Sequence, residues 1–561
     1  MSLWSALVNK LKEIVSKMVG SKTIEQTLRV TPVISTEMEN AITLWGKMYC
    51  GKAPWVHEPT DEDPTRVVSL GLPAMISSEK ARMALLEWES EITTPTEEVE
   101  VENENYEEPQ PNEFGAVLPT AQTPTVVEEQ PIGDTSRAEF LNKQYQEKLK
   151  PRLRNQLEVG LAKGGFVIKP YPIIHDKDNG GESEIEFDFI QADGFYPIAF
   201  NASGKITEAA FLQTKVDKDY TYRRLEYHKW ENGKVTIVNK AFQKANADAL
   251  YGAPRQEMTD ITLGKEIPLT DVPEWSSLEP ETTIKDVQQP LFAYFKMPEA
   301  NTVDMTSPLG ASCFARAKSL IHDADEQYSR LLWEYEGGEL AIDIDRDAIR
   351  PTVDAHGNIT NELGAHQQRL FRKVDLSQTG DTYYPYTPSL RDSNYSAGLN
   401  TILMRIEDVC AISRGTLSDG AAEARTATEL KILKQRSYSA NAEIQEALQT
   451  MLEDVVYIMD VYCDLYQITT KGEYDVSFEW DDSLLVDKET ELNTRLTLMQ
   501  QGIASKLETR MWYFGETERQ AQEALAKIEE DALKNAADEL QMQAAQMQMQ
   551  NTMTGGEEIE E

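Results

Sequence analysis

The chain has 561 residues, 40% hydrophobic and 27% charged, with 55 Lys+Arg against 95 Asp+Glu and a formal net charge of −40. At roughly 100–200 residues per domain this length predicts three or four folding units. The charge excludes wrapping of a nucleic-acid duplex by general phosphate neutralisation, which needs a basic face.

Residues 3–19 place Leu3, Trp4, Leu7, Val8, Leu11, Ile14, Val15, Met18 and Val19 on one helical face, with Lys10, Lys12 and Lys17 off it. Such a stripe more often seeks protein than a membrane surface. The N-terminus lacks the unbroken apolar stretch and small-residue cleavage site of a signal peptide. Further helices are expected at 37–56 and 69–90. The stretch 91–134 then carries eleven Glu, one Asp, six Pro and no Lys or Arg. It is expected to be a disordered acidic insert, unable to bury enough surface to fold.

A helix is predicted from 135 to 163, where Gly164-Gly165 stop it. Residues 165–245 read as an antiparallel meander of alternating strands, with Asn232-Gly233 as the clearest hairpin turn. Residues 246–306 are expected to be irregular. A long helix then runs from Ser307-Pro308 to Gly337-Gly338, with Phe314, Ala317, Leu320, Ile321, Ala324, Tyr328, Leu331, Leu332 and Tyr335 as its stripe. Residues 339–388 form a compact insert of short strands and turns. A second long helix covers 389–412 and a break rich in Gly, Ser and Ala follows. A third, unusually long helix spans 426–466, striped by residues that include Leu430, Ile444, Leu448, Leu452, Val455, Met459 and Leu465. The strand at 474–480 is followed by helices at 487–502, 505–513 and 516–545. The chemistry-free reading of the long helices is lateral packing against copies of themselves in a ring or bundle.

Catalytic chemistry finds little purchase. Cys50, Cys313, Cys410 and Cys463 lie 263, 97 and 53 residues apart, which suits neither a zinc site nor a disulfide framework and fits a reducing compartment. Asp343, Asp345, Asp347 and Asp354 imitate calcium-loop spacing, but Ala348 and Pro351 spoil the turn, so an alternating strand is expected instead. His57, His175, His228, His322, His356 and His366 form no HExxH, and no P-loop or nucleophile elbow is present. No cofactor, metal, catalytic residue or small-molecule substrate is therefore assigned. Two rival classes are an intracellular enzyme of unrecognised type and a membrane-associated scaffold using residues 3–19.

Stretches spread along the chain resemble the portal proteins of tailed bacteriophages, in the branch typical of long-tailed phages of Gram-positive bacteria. They include AITLWGKMYCGKAPW (41–55), SLGLPAMISSEKARM (69–83), DFIQADGFYPIAFNASGKITEAAF (188–211), YRRLEYHKWENGKVTIVNKAF (222–242), ISRGTLSDGAAEARTATELK (412–431) and FEWDDSLLVDKETELNTRLTLMQQGIASK (478–506), and a long stretch at 292–338. The resemblance implies an α+β portal fold of wing, stem, clip and crown, with long stem and tunnel helices and an antiparallel β wing, assembling as a ring of about twelve. By position the wing is 1–306, the stem helices 307–338 and 389–412, the clip 339–388, the tunnel loop 413–425, the long helix and returning wing strand 426–486, the crown 487–545, and the disordered tail 546–561.

The implied function is a head–tail connector at one capsid vertex, made in the host bacterial cytoplasm and carried in the virion. It passes double-stranded DNA without sequence preference, and docks the terminase large subunit, head–tail adaptors, and major capsid and scaffold proteins. An acidic channel wall would repel DNA and let it slide. Arg414, Arg425, Lys431, Lys434 and Arg436 would supply local grip on phosphates, and Gly415 and Gly420 would let the tunnel loop move. Equally, these cations would neutralise carboxylates such as Asp419, Glu423 and Glu429. In the clip, Arg346, Arg350, Arg369, Arg372 and Lys373 would face a partner or the next clip. Tyr383, Tyr384 and Tyr386 suit an interface or an ordinary packed turn.

Overall fold

A computed structural model describes residues 24–30, 32–60, 65–86, 88–102, 125–174, 183–217, 219–245, 263–339, 341–345, 352–353, 359–360, 371–374, 383–419, 427–480, 488–515, 520–522 and 524–528. The stripe at 3–19 and the tail at 546–561 lie outside these residues. The chain divides into two compact units, Met1–Trp480 and Asp481–Glu561, fewer than its length predicts. Elements from residue 34 to residue 480 share one large apolar core, which holds that unit together; Ile24 joins a smaller cluster with Ile198, Leu225 and Phe242.

The short α1 (Ile24–Leu28) is followed by α2 (Thr36–Tyr49) and α3 (Leu72–Ala84). Ser35 caps α2, its hydroxyl accepting from the Met38 amide at 3.3 Å, and Met38, Ile42, Trp45 and Met48 face inward at helical spacing. Both helices are shorter than expected: Gly51, at positive φ, follows the end of α2, while Gly71, also at positive φ, sets the start of α3, which stops at Ala84 before the strand that begins at Glu89.

The expectation of a structureless 91–134 needs correction at both margins. Strand β1 (Glu89–Thr93) leads to β2 (Thr96–Glu102), which pairs antiparallel with β3 (Thr125–Pro131). The pairing sets Val99 and Val101 opposite Glu128 and Val126 in register, so the margins of the acidic stretch find backbone partners in each other. Residues 103–124 lie outside the described residues.

The predicted helix 135–163 is α4 (Ser136–Gln144), a π turn at Tyr145–Leu149 and α5 (Lys150–Lys163). Pro151 has no N–H to give to the preceding turn, and the Lys150 amide reaches the Tyr145 carbonyl instead. Gly164, at φ 90°, ends α5.

The expected meander is two sheets. Strands β4 (Gly165–Ile173) and β5 (Glu184–Gln191) form one hairpin. Strands β6 (Phe195–Phe200), β7 (Ile206–Val216), β8 (Tyr220–Glu231) and β9 (Lys234–Ala245) form a second, continuous antiparallel run. Asn232 and Gly233 both have positive φ at the β8–β9 turn, as the hairpin signal requires. The stretch from 263 to 296, expected to be irregular, completes both sheets. Strands β10 (Lys265–Ile267) and β11 (Glu281–Lys285) pair with β9, while β12 (Ala293–Lys296) pairs with β4.

The first long helix begins later than Ser307. It is α6 (Lys318–Gly337), preceded by a 3-10 turn at Ala315–Ala317. Residues 309–314 are buried but not helical, because they cap other elements. The Cys313 amide donates to the Leu161 carbonyl in the last turn of α5 at 3.0 Å, and a Cβ at Gly310 would collide with the Gly164 backbone.

The insert contains β13 (Ala341–Asp345), β14 (Thr352–Val353), β15 (Ile359–Thr360), β16 (Phe371–Val374) and β17 (Tyr383–Tyr386). Helix α7 (Asp392–Val409) returns alongside α6, and α8 (Ala427–Tyr466) follows at 40 residues. In α8, Ile444, Leu448, Met451, Leu452, Val455, Val456, Ile458 and Met459 are fully buried or nearly so; Leu465, predicted in the stripe, is exposed. Strand β18 (Asp475–Glu479) pairs with β1, far back in the sequence, with Trp480 stacked on Trp88 at 5.5 Å. In the second unit, α9 (Lys488–Gln500) precedes α10 (Lys506–Phe514), which opens on a capping box between Ser505 and Glu508.

Candidate functional site

The best-defined candidate is the turn that leaves α7. The helix ends where Ala411 takes φ 52° and the Ile412 amide donates back to the Glu407 carbonyl at 2.9 Å, a Schellman-type stop. A tight turn follows. The Thr416 amide and hydroxyl both donate to the Ser413 carbonyl, at 3.2 and 2.7 Å. Gly415, at φ 89°, donates its amide to the Ser418 hydroxyl at 3.3 Å.

Three side chains of α7 fasten this turn. Glu407 is fully buried, and its carboxylate accepts from the Leu417 amide at 2.6 Å, the Ser418 amide at 2.9 Å and the Ser418 hydroxyl at 2.7 Å. Asn400 accepts from the Asp419 amide at 2.8 Å. Asp408 takes a two-pronged ion pair from Arg414, at 3.1 and 2.8 Å. The Arg414 guanidinium, helped by Arg405 and Arg436, holds the Asp408 carboxyl below the usual carboxylate range, and Asp408 raises Arg414 in return.

Of the cations read around the tunnel loop and the start of the long helix, Arg414 is paired with Asp408, a carboxylate other than the three anticipated. Arg436 is exposed. Lys431 and Lys434 lie within α8. Gly420 and Arg425 lie outside the described residues, as do Arg346, Arg350 and Arg369 in the insert. Gly415 sits in a hydrogen-bonded turn, where its freedom serves a positive φ.

In the insert, β13 is the central strand, parallel to β16 and antiparallel to β17. Asp343 and Asp345 therefore stand in a strand. Arg372 and Lys373 lie on β16, at register positions opposite Asp343 and Ile344. Tyr383, Tyr384 and Tyr386 belong to strand β17 and do not form a turn; among the described residues β17 pairs only with β13, at the edge of its sheet, a position that tolerates Pro385. At the base of the insert Arg391 pairs with Glu334 through bonds of 3.1 and 2.8 Å, which joins α6 to α7.

Glu407, Asp408 and Asn400 carry the geometry of the turn, yet sequence reasoning passes over them because carboxylates are abundant in this chain. A signal exists: Glu407 falls on the apolar stripe of α7, with Leu403 four residues before it and Cys410 three after. A carboxylate there must be buried with partners.

A search among curated proteins finds no match to the chain. Residues 129–535, more than two thirds of the sequence, match the family described as phage portal protein, SPP1 Gp6-like. The match runs from within β3 through α4, α5, both sheets, the α6–α7 pair with its insert, the fastened turn and α8 into the second unit, and on that evidence the chain belongs to the SPP1 Gp6-like family of phage portal proteins.

Proposed function

We propose that this portal protein works as a ring of about twelve copies at one capsid vertex of the virion, through which double-stranded DNA is packaged, retained and ejected without sequence preference. In this reading α6 and α7 are the stem and the insert between them is the clip, which receives the terminase large subunit and later the head–tail adaptors. The turn after α7 begins the tunnel loop, the sheets of β4–β12 with β1 and β18 form the wing, and α9 and α10 belong to the crown. Major capsid and scaffold proteins would surround the wing. Packaging ATP hydrolysis belongs to a partner, and the role of this chain is structural.

The observation that carries assembly is the incomplete burial of the α6–α7 pair. Trp333 is 70% exposed, Tyr335 of the same helix and Leu390 just before α7 are exposed as well, and Leu399, Ile402 and Leu403 are only half-buried. An apolar surface of this kind on a helix pair is suited to neighbouring copies. Among the described residues no helix is long and apolar enough to cross a membrane; the family match over residues 129–535 supports the portal reading and not the scaffold alternative.

Negative-stain imaging and light scattering of the purified chain test the proposal. From a subunit mass of 63.4 kDa, a twelve-membered ring has a mass of about 760 kDa and shows a central hole. A monomer or dimer that stays small in the presence of scaffold and capsid protein would remove it.

A further inference from the structure

We propose that Glu407 is the positioning residue of the tunnel loop: its buried carboxylate ties the loop's first turn to the stem helix, and so sets where Arg414 stands in every copy. The inference rests on the reading of this loop as part of the DNA channel, but its structural core is independent of DNA.

Residues 411–419 contain two positive-φ positions, Ala411 and Gly415, which would ordinarily mark a segment free to swing. Instead the segment is tied to α7 at three places. Asn400, Glu407 and Asp408 reach Asp419, the Leu417–Ser418 pair and Arg414 respectively. Of these ties only Glu407 is fully buried, and only it accepts three hydrogen bonds. Bonds to a charged acceptor away from water are the strong kind, and leaving two backbone N–H groups without an acceptor is costly.

The outer tie is of another kind. Arg414 and Asp408 are partly exposed, with side-chain exposures of 41% and 30%, so their pair is screened and exchangeable. A DNA phosphate offers Arg414 the same two-pronged acceptor as Asp408 does. Glu407 holds the turn while Asp408 holds the arginine in reserve, and a passing phosphate displaces Asp408 without unfolding the turn. The loop then presents a ring of cations at a fixed height along the stem. Grip and sliding differ only by which acceptor each arginine faces.

The test uses the full-length chain in its assembled form. Hydrogen exchange is followed at residues 415–419 in wild type, Glu407→Leu, Glu407→Gln and Ser418→Ala. Leu keeps the packing and removes the acceptor. Gln keeps one oxygen for the two amides, and its amide N–H is free to donate to the Ser418 hydroxyl. Glu407→Leu is expected to speed exchange of the Leu417 and Ser418 amides by about tenfold or more, Ser418→Ala by a few-fold, and Glu407→Gln by less than about threefold. Exchange along α7 before Leu403 serves as the folding control and stays unchanged. In a DNA-packaging assay the yield should fall for Glu407→Leu and return with Glu407→Gln.

Unchanged protection at Leu417 and Ser418 in Glu407→Leu overturns the anchor. Faster exchange with undiminished packaging overturns its role in placing Arg414. If wild type itself passes no DNA, the channel reading fails, while the exchange pattern still decides the anchor.

Discussion

Arg137 illustrates how much a single side chain contributes when it is buried among acceptors. It is 1% exposed in α4, and its guanidinium donates to the carbonyls of Asp460, Thr469 and Thr470 and to the carboxylates of Asp460 and Asp464. Burial pushes the Asp460 carboxyl up despite that pairing. The guanidinium thus ties the end of α8, and the segment leading to β18, onto α4. Arg137→Leu is expected to destabilise the first unit by about 3 kcal/mol, because the stranded carboxylates are only partly hydrated. Chemical denaturation followed by tryptophan fluorescence reads this directly. Arg137→Lys should not restore it, since a compact ammonium cannot reach all the acceptors that a guanidinium fork serves. Nothing in the sequence around Arg137 marks it, because its partners lie at the far end of the first unit.

At the scale of elements, the two large sheets meet through charge as well as apolar contact. Lys169 of β4 donates to Glu226 of β8 at 2.5 Å, Arg224 approaches Glu226 at 2.9 Å, and His228 Nε2 lies 2.7 Å from its other oxygen. Asp188 of β5 stands 3.7 Å from Lys169, and Phe211 and Phe292 pack against the His228 ring. Burial lowers the His228 pKa, with Glu226 opposing and Lys169 and Arg224 adding to the drop. Burial alone would raise Glu226, but Lys169, His228 and Arg224 together hold it well below the carboxylate range.

The signs agree. A histidine whose folded pKa lies below its unfolded value near 6.5 contributes stability that is complete above that pH and lost as pH falls. A carboxyl held low contributes stability present above its unfolded pKa, near 4.3, and lost as pH falls through its folded value. The thermal transition of the first unit should therefore fall as pH drops from about 7 toward 5 and fall again below about 4. Calorimetry across that range checks it, and His228→Gln should remove the upper step and leave the lower one.

For the whole molecule, the net charge of −40 works against assembly. In the proposed ring, copies would repel one another, and exposed charges are screened beyond roughly 10 Å at 0.1 M salt but only beyond about 30 Å at 0.01 M. In that reading the exposed Trp333, Tyr335 and Leu390 would supply the opposing apolar attraction, which salt does not weaken. The fraction of chain in rings should accordingly rise as ionic strength is raised from about 0.01 to 0.15 M, measured by light scattering at constant protein concentration. A ring that dissociates over that range would place ion pairs, not apolar helix faces, at the subunit contact.

Periodicity and turn chemistry are local, and they make several elements legible in the sequence. The 40-residue α8, the insert between two long helices, the β8–β9 hairpin at Asn232-Gly233 and the stop at Gly164 are all readable there, because each depends on residues within one or two turns of itself. The spread of similar stretches also points to the portal family. Features made by distant partners are a different matter. Residues 309–314 stay out of the helix because the Leu161 carbonyl takes the Cys313 amide and Gly310 lies against Gly164. One expected meander becomes two sheets because β12 joins β4 while β10 and β11 join β9. Glu407 becomes the organiser of its turn only when the chain folds back to set Leu417 and Ser418 over it. In each case the deciding influence is the satisfaction of a buried polar group or a close backbone approach, and these exist only once separate segments of the chain are brought together.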